Sequence, residues 1–133
     1  MKKKPSLAKL KKKAWKIMSN YIRLMASNPD GLVKCVTCDT WKHWKQMQAG
    51  HFVSGRRGWI LFCEENIHPQ DYVCNVLLKG NFAAYYEFMV EKYGLEKTQQ
   101  LIALRKKPMS STEMLNECER VISLYGGINL KEK

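Results

Sequence analysis

At 133 residues the chain is long enough for one modest domain with its own core and too short for two. Lys and Arg number 23 against 12 Asp and Glu, a formal net charge of +11; that excess repels itself unless a polyanion is near, which puts nucleic acid first among partners. No stretch approaches the ~20 apolar residues of a membrane span, and no apolar run follows the lysine-rich start as a secretory leader requires, so a cytoplasmic protein with no membrane partner is expected.

A merely solvated basic surface would carry the same charge, so site chemistry has to decide the function. In residues 6–26, Leu7, Leu10, Ala14, Trp15, Ile17, Met18, Tyr21, Ile22 and Met25 recur at three- and four-residue intervals, which predicts an amphipathic helix. Lys9, Lys12, Lys13, Lys16 and Arg23 occupy its other face, and Asn28-Pro29-Asp30-Gly31 stops it with turn chemistry. Such a helix more often packs on a core than lies on a duplex, yet its lysines can face DNA either way.

From 32 to about 61 the helical period is lost, and Gly50, Gly55 and Gly58 punctuate the short runs 49–54 and 59–63. This predicts a hairpin with Gly55-Arg56-Arg57-Gly58 at its tip, where arginines reach phosphates or form an ordinary solvated turn. A helix start is expected over 69–78, with Pro69 in its first turn and Gly80 at its end. Asn81 is expected to cap a helix to Tyr93, whose Phe82, Tyr85, Tyr86 and Met89 form an aromatic face, either core or dimer interface. Residues 95–106 make a further helix, Pro108 breaks it, and Ser110 with Glu113 is a capping box opening a last helix to about Tyr125. The expected fold class is α+β.

Five cysteines, two of them as Cys35-x-x-Cys38, favour reduced thiols holding a metal over a disulfide framework. Two thiolates at that spacing can take two corners of a zinc tetrahedron, and Cys74 is the obvious third. Three positions before Cys74, where a second Cys-x-x-Cys would begin, stands Asp71, whose carboxylate could complete a structural site of three cysteines and one aspartate. Cys63 or His68 could supply the fourth ligand instead, and Cys118 reads as core.

The polar residues among these cysteines come in an informative order: Gly50-His51-Phe52, Asn66-Ile67-His68, then Asp71-x-x-Cys74-Asn75. A histidine on a hairpin strand, an asparagine in the return segment and a third residue on the following helix are the layout of one-metal HNH, or His-Me finger, nucleases. The run CVTC, then QAGHF, ENIHPQDYVCN and LKGN, with a downstream KYG, resembles the phage lambda NinG or Rap recombination family over about residues 10–94. The resemblance implies a zinc-stapled ββα-metal core flanked by N- and C-terminal helices. It implies a DNA endonuclease for branched recombination intermediates such as Holliday junctions and D-loops, phage-encoded and acting in the bacterial host cell. Two positions depart from pattern: Asp71 stands where the family has cysteine, and Gly50 where the wider class often has a metal-binding aspartate.

Within one domain, 1–133, the expected parts are a basic helix at 1–28, the nuclease core at 32–80 and a helical extension at 81–127. Hydrolysis of a phosphodiester needs a deprotonated water in line with the leaving oxygen and relief of its charge. Neutral His51 suits the base, and Asn66 would hold that imidazole or the hairpin backbone. Asn75 oxygen would bind catalytic Mg2+ or Mn2+, with His68 as second ligand, and Zn2+ would be structural on Cys35, Cys38, Asp71 and Cys74. Arg56, Arg57, Lys79, Lys12, Lys13 and Lys16 are the expected DNA contacts. Symmetric junction cleavage needs two sites, hence an expected homodimer. The rivals are a non-catalytic zinc-knuckle DNA-binding module and an HNH nuclease acting on plain duplex.

Overall fold

The computed structural model describes residues 4–55 and 57–128. Arg56, one of the expected DNA contacts, lies outside the described residues, as do Lys2 and Lys3 of the lysine-rich start. Helix α1, Leu7–Met25, begins where Ser6 accepts a hydrogen bond from Lys9 N through its hydroxyl, satisfying one of the orphan amides of the first turn. Ala14, Met18 and Ile22 form its buried stripe and meet Met114, Cys118 and Val121 of α4, Ser111–Tyr125. Each large side chain so covered contributes about 1.5–3 kcal/mol of apolar burial, which makes α1 a core helix with an exposed basic face.

Two small antiparallel hairpins follow. Strands β1, Leu32–Lys34, and β2, Trp41–His43, pair across the cysteine knuckle, and Asp39 makes the tight turn with left-handed backbone at φ 64°. Strands β3, Gln48–His51, and β4, Ile67–Gln70, pair in the register Gln48 to Gln70, Gly50 to His68 and His51 to Ile67. A single π-type turn, Val73–Leu77, leads through left-handed Lys79, Gly80 and Asn81 into α2, Phe82–Tyr93. Helix α3, Leu95–Leu104, packs beside α2, and α4 opens on the capping box of Ser110 and Glu113. The architecture is α+β, and no helix of the described residues is long and apolar enough to cross a membrane.

Two expectations are corrected. The return strand of the hairpin is 67–70 and not 59–63; the latter forms a 3-10 turn, Gly58–Ile60, whose Ile60, Leu61 and Phe62 are buried by packing rather than by pairing. Pro69 does not start a helix, because it sits within β4 opposite Ala49, where its carbonyl accepts from Val36 N at 3.1 Å. The aromatic face of α2 divides: Tyr85 and Met89 are fully buried, whereas Phe82 is 54% exposed and stacks on Phe52 with ring centroids 5.2 Å apart.

Candidate functional site

The edge of β3 forms one wall of an open cleft of about 580 Å³, and α1 and the turn after β4 form the others. His51, Asn75 and Lys79 all line it, together with Trp15 and Gln48. The His51 ring stacks on Trp15 at 4.8 Å and 22°, and its Nε2 lies 3.0 Å from Leu61 O. A carbonyl accepts only, so in the neutral imidazole the proton sits on Nε2 and the lone pair on Nδ1. In that neutral form Nδ1 is the nitrogen able to take a proton.

Asn66 is fully buried and grips the hairpin backbone rather than the imidazole. Its side-chain oxygen accepts from Val53 N at 2.8 Å, and its amide donates to Val53 O and Ile60 O, both at 3.1 Å. It thereby sets the loop from which Leu61 O reaches His51. Arg23 works similarly from the other wall, donating to Trp44 O at 3.0 Å and Met47 O at 3.1 Å. Desolvation lowers its pKa from the ordinary arginine value, and these bonds make it a clamp between α1 and the entry to β3.

His68 does not reach the cleft. Its partner across the ladder is Gly50, and its ring points into the core, with Nδ1 3.0 Å from the Tyr85 hydroxyl and Nε2 2.8 Å from that of Tyr93. The Tyr85 hydroxyl spends its own hydrogen on Gly50 O at 2.7 Å, so His68 Nδ1–H donates to Tyr85 and Nε2 accepts from Tyr93. Burial, aided by the Lys92 ammonium, pushes the His68 pKa down to about 3. With both nitrogens engaged, His68 is a core residue supporting the strand of His51, which corrects its expected role as a metal ligand.

Two oxygen-bearing side chains stand instead around Gly50. A Cβ on Gly50 would collide with Gln70 Oε1 and fall 3.1 Å from Asn75 Oδ1. Gln70 Oε1 is buried without a hydrogen-bond partner, while its Nε2 donates to Thr37 Oγ1 and Gly80 O. The Asn75 amide donates to Gln48 Oε1 at 2.7 Å, which leaves its oxygen for another contact. Two hard, neutral oxygens beside a bare glycine backbone could hold Mg2+ or Mn2+, Asn75 from the cleft lining and Gln70 from its buried side. Sequence reading missed Gln70 and Gln48; the signal was a pair of polar side chains on one face of facing strands.

Cys35, Cys38 and Cys74 come together with their sulfurs all within 4.8 Å of one another. Sulfurs around tetrahedral zinc lie about 3.8 Å apart, so a modest contraction would suit a soft ion. Cys35 and Cys74 are buried and Cys38 is exposed, so the cluster opens outward. Burial pushes the Cys74 thiol up to about 11; at Cys38 burial acts the same way but is outweighed by contacts with Thr40 and the neighbouring thiols, leaving its pKa lowered. Asp71 is not gathered into the cluster, since its carboxylate, nearly buried, takes the Lys42 ammonium at 2.5 Å. Asn81 caps nothing through its side chain and instead extends Nδ2 toward Thr37 O at 3.4 Å and Cys74 Sγ at 3.8 Å. Cys63 lies outside the cluster, and Cys118 is fully buried between α1 and α4.

Among the expected DNA contacts, Lys79 stands at the cleft with φ 51°, a left-handed conformation that costs a non-glycine residue about 1–2 kcal/mol. Lys12 borders a groove with Trp15 and Leu61, Arg57 borders a separate basin, and Lys13 and Lys16 are exposed on α1. Among the described residues, no carboxylate lines the cleft.

A family model described as the bacteriophage lambda NinG protein matches residues 1–131. The protein ninG of Salmonella phage P22 is 29% identical over 92 residues, covering 68% of this chain. The match covers 43% of that relative, so the chain spans less than half the length of the curated protein it matches. No solved structure matches.

Proposed function

The chain belongs to the bacteriophage lambda NinG family, and from that premise we propose that it is a metal-dependent endonuclease that cuts branched recombination DNA, Holliday junctions and D-loops among them. The observation that carries the reading is the His51 cleft: an imidazole held by Leu61 O and Trp15 with its lone pair on Nδ1, beside Asn75 and Lys79.

In this reading His51 Nδ1 takes a proton from water as the oxygen attacks phosphorus in line. The bond from phosphorus to the 3′ oxygen breaks, and that oxygen takes a proton from solvent water, leaving 5′-phosphate and 3′-hydroxyl ends. Lys79 pairs with a non-bridging oxygen and holds the phosphate at the cleft edge. Asn75 and Gln70 would hold Mg2+ or Mn2+, which supplies charge relief for the leaving oxygen when bound. Asn66 acts through the backbone that positions Leu61 O. Zn2+ on Cys35, Cys38 and Cys74 would fix the turn that carries Asn75, with its fourth ligand from solvent or a side chain other than Asp71 as the latter is now placed. Cutting both strands of a four-way junction symmetrically needs two such sites, and a homodimer supplies them.

One observation favours a second reading, a DNA-binding module without catalysis: the cleft offers no carboxylate to a metal. An end-labelled four-way junction incubated with Mg2+ or Mn2+, beside linear duplex of the same sequence, separates the readings. Nicking of the junction that stops with chelator supports the endonuclease. Binding of the junction with no product under any divalent metal supports the module, and equal cutting of duplex indicates an HNH nuclease of the restriction or homing kind.

A further inference from the structure

A second basic surface lies apart from the cleft. Lys11 of α1, Arg57 before the Gly58–Ile60 turn, and Arg105, Lys106 and Lys107 between α3 and α4 converge on a basin of about 430 Å³. Three segments distant in sequence thus bring five cations to one place, with no carboxylate in the lining. None of the five takes part in the ion pairs found among the described residues, which engage Lys34, Lys42, Lys97 and Arg120. Like charges gathered without partners repel, and a polyanion removes that cost.

The basin is held in shape. Trp59 Nε1 donates to Pro108 O at 2.9 Å, and the Lys107 ammonium sits 4.7 Å above the Trp59 ring, so the loop between α3 and α4 is pinned to the Gly58–Ile60 turn. The N-terminus of α4 adds nothing, because Ser110 and Glu113 already satisfy it.

It also connects with the cleft by two routes. Lys11 borders the groove that contains Lys12 and Trp15, and Trp15 stacks on His51. On the other side, Arg105 Nε comes within 3.5 Å of where a Cβ on Gly55 would lie, and Gly55 lines the cleft. Four residues of helix from Lys11 to Trp15 rise about 6 Å, and the Trp15 ring lies 4.8 Å from that of His51, so the edge of the basin stands within a few nucleotide spacings of the cleft.

We propose that this basin seats the phosphate backbone of a DNA arm, a few base pairs from the phosphate held in the His51 cleft. Arg105, Lys106 and Lys107 are then DNA contacts, reading shape and charge and no base sequence. The distance from the cut rests on the endonuclease reading; the binding itself does not.

The test is binding of a fluorescent four-way junction in chelator, as a function of salt, by the full chain. The variant R105Q/K106Q/K107Q changes exposed side chains and, though it loses the Lys107 contact with Trp59, keeps the Trp59 bond to Pro108 O, so its circular dichroism should match the parent. Its slope of log affinity against log salt is expected to fall by about 2 to 3, with at least tenfold weaker binding near 0.1 M salt. Junctions with arms too short to reach the basin should erase that difference. An unchanged slope overturns the proposal, as does an equal loss in the remote control K34Q/K45Q/K92Q, or a preference for anionic lipid vesicles over DNA. A parent that binds with the steep slope but never nicks would remove the endonuclease reading and leave the basin standing.

Discussion

Protonation of His68 should destabilise the protein in mild acid. In the native state this ring is neutral, with a pKa held near 3 by burial and by Lys92, whereas in the unfolded chain it returns to the ordinary value of 6.5. A group lowered on folding binds fewer protons in the native state, so its stabilising contribution is complete above pH 6.5 and falls away as pH drops toward 3. At 1.36 kcal/mol per unit, the loss between about pH 6 and pH 4 is about 2.5 kcal/mol, a large part of the 5–15 kcal/mol typical of a domain. Urea unfolding followed by tryptophan fluorescence at a series of pH values reads this directly. His68→Gln, which can still bond both tyrosines but does not titrate, should be less stable than the parent at pH 7 and lose about 2.5 kcal/mol less on acidification, because the carboxylates common to both chains cancel. Parallel stability profiles for parent and variant would refute the buried neutral histidine.

Asn66→Ala leaves Val53 N, Val53 O and Ile60 O without partners in the core; a stability loss of about 3 kcal/mol or more is expected in urea unfolding, with a loss below about 1 kcal/mol contradicting the clamp. The three-thiol cluster should take one equivalent of Co2+ with thiolate charge-transfer absorption that Cys74→Ser abolishes. Asp71→Cys, which removes the partner of Lys42 and restores a second Cys-x-x-Cys, should tighten Zn2+ at least tenfold; unchanged affinity would mean that position 71 cannot turn toward the cluster.

The helices were legible because each carried its own local signature. Three- and four-residue spacing marked α1, and the Ser110–Glu113 box marked the start of α4, both of which end within a residue or two of expectation. Strand β4 was illegible for a physical reason: all four of its residues are buried, so Ile67-His68-Pro69-Gln70 has no alternation, and it contains the residue least expected in a strand. The run 59–63 imitated a strand because its apolar side chains pack in two clusters from a short turn. At the site, the order of His51, Asn66 and Asn75 was visible, but the direction of each side chain was not. The strand ladder turns His68 into the core beside Tyr85, and Lys42 draws Asp71 from the thiols, both through contacts between residues 17 or more apart. Arg105, Lys106 and Lys107 gave no sign of the role proposed for them, because tertiary contacts, Trp59 with Pro108 and with Lys107, bring them to Arg57.

In the proposed reaction His51 takes the proton from the attacking water. Single-turnover nicking of a labelled four-way junction by the parent and by His51→Ala, with and without added imidazole, tests it most directly. A loss of about 10²- to 10⁴-fold is expected with junction binding retained, and partial recovery by imidazole in its neutral form. Nicking by His51→Ala at the parental rate would contradict it.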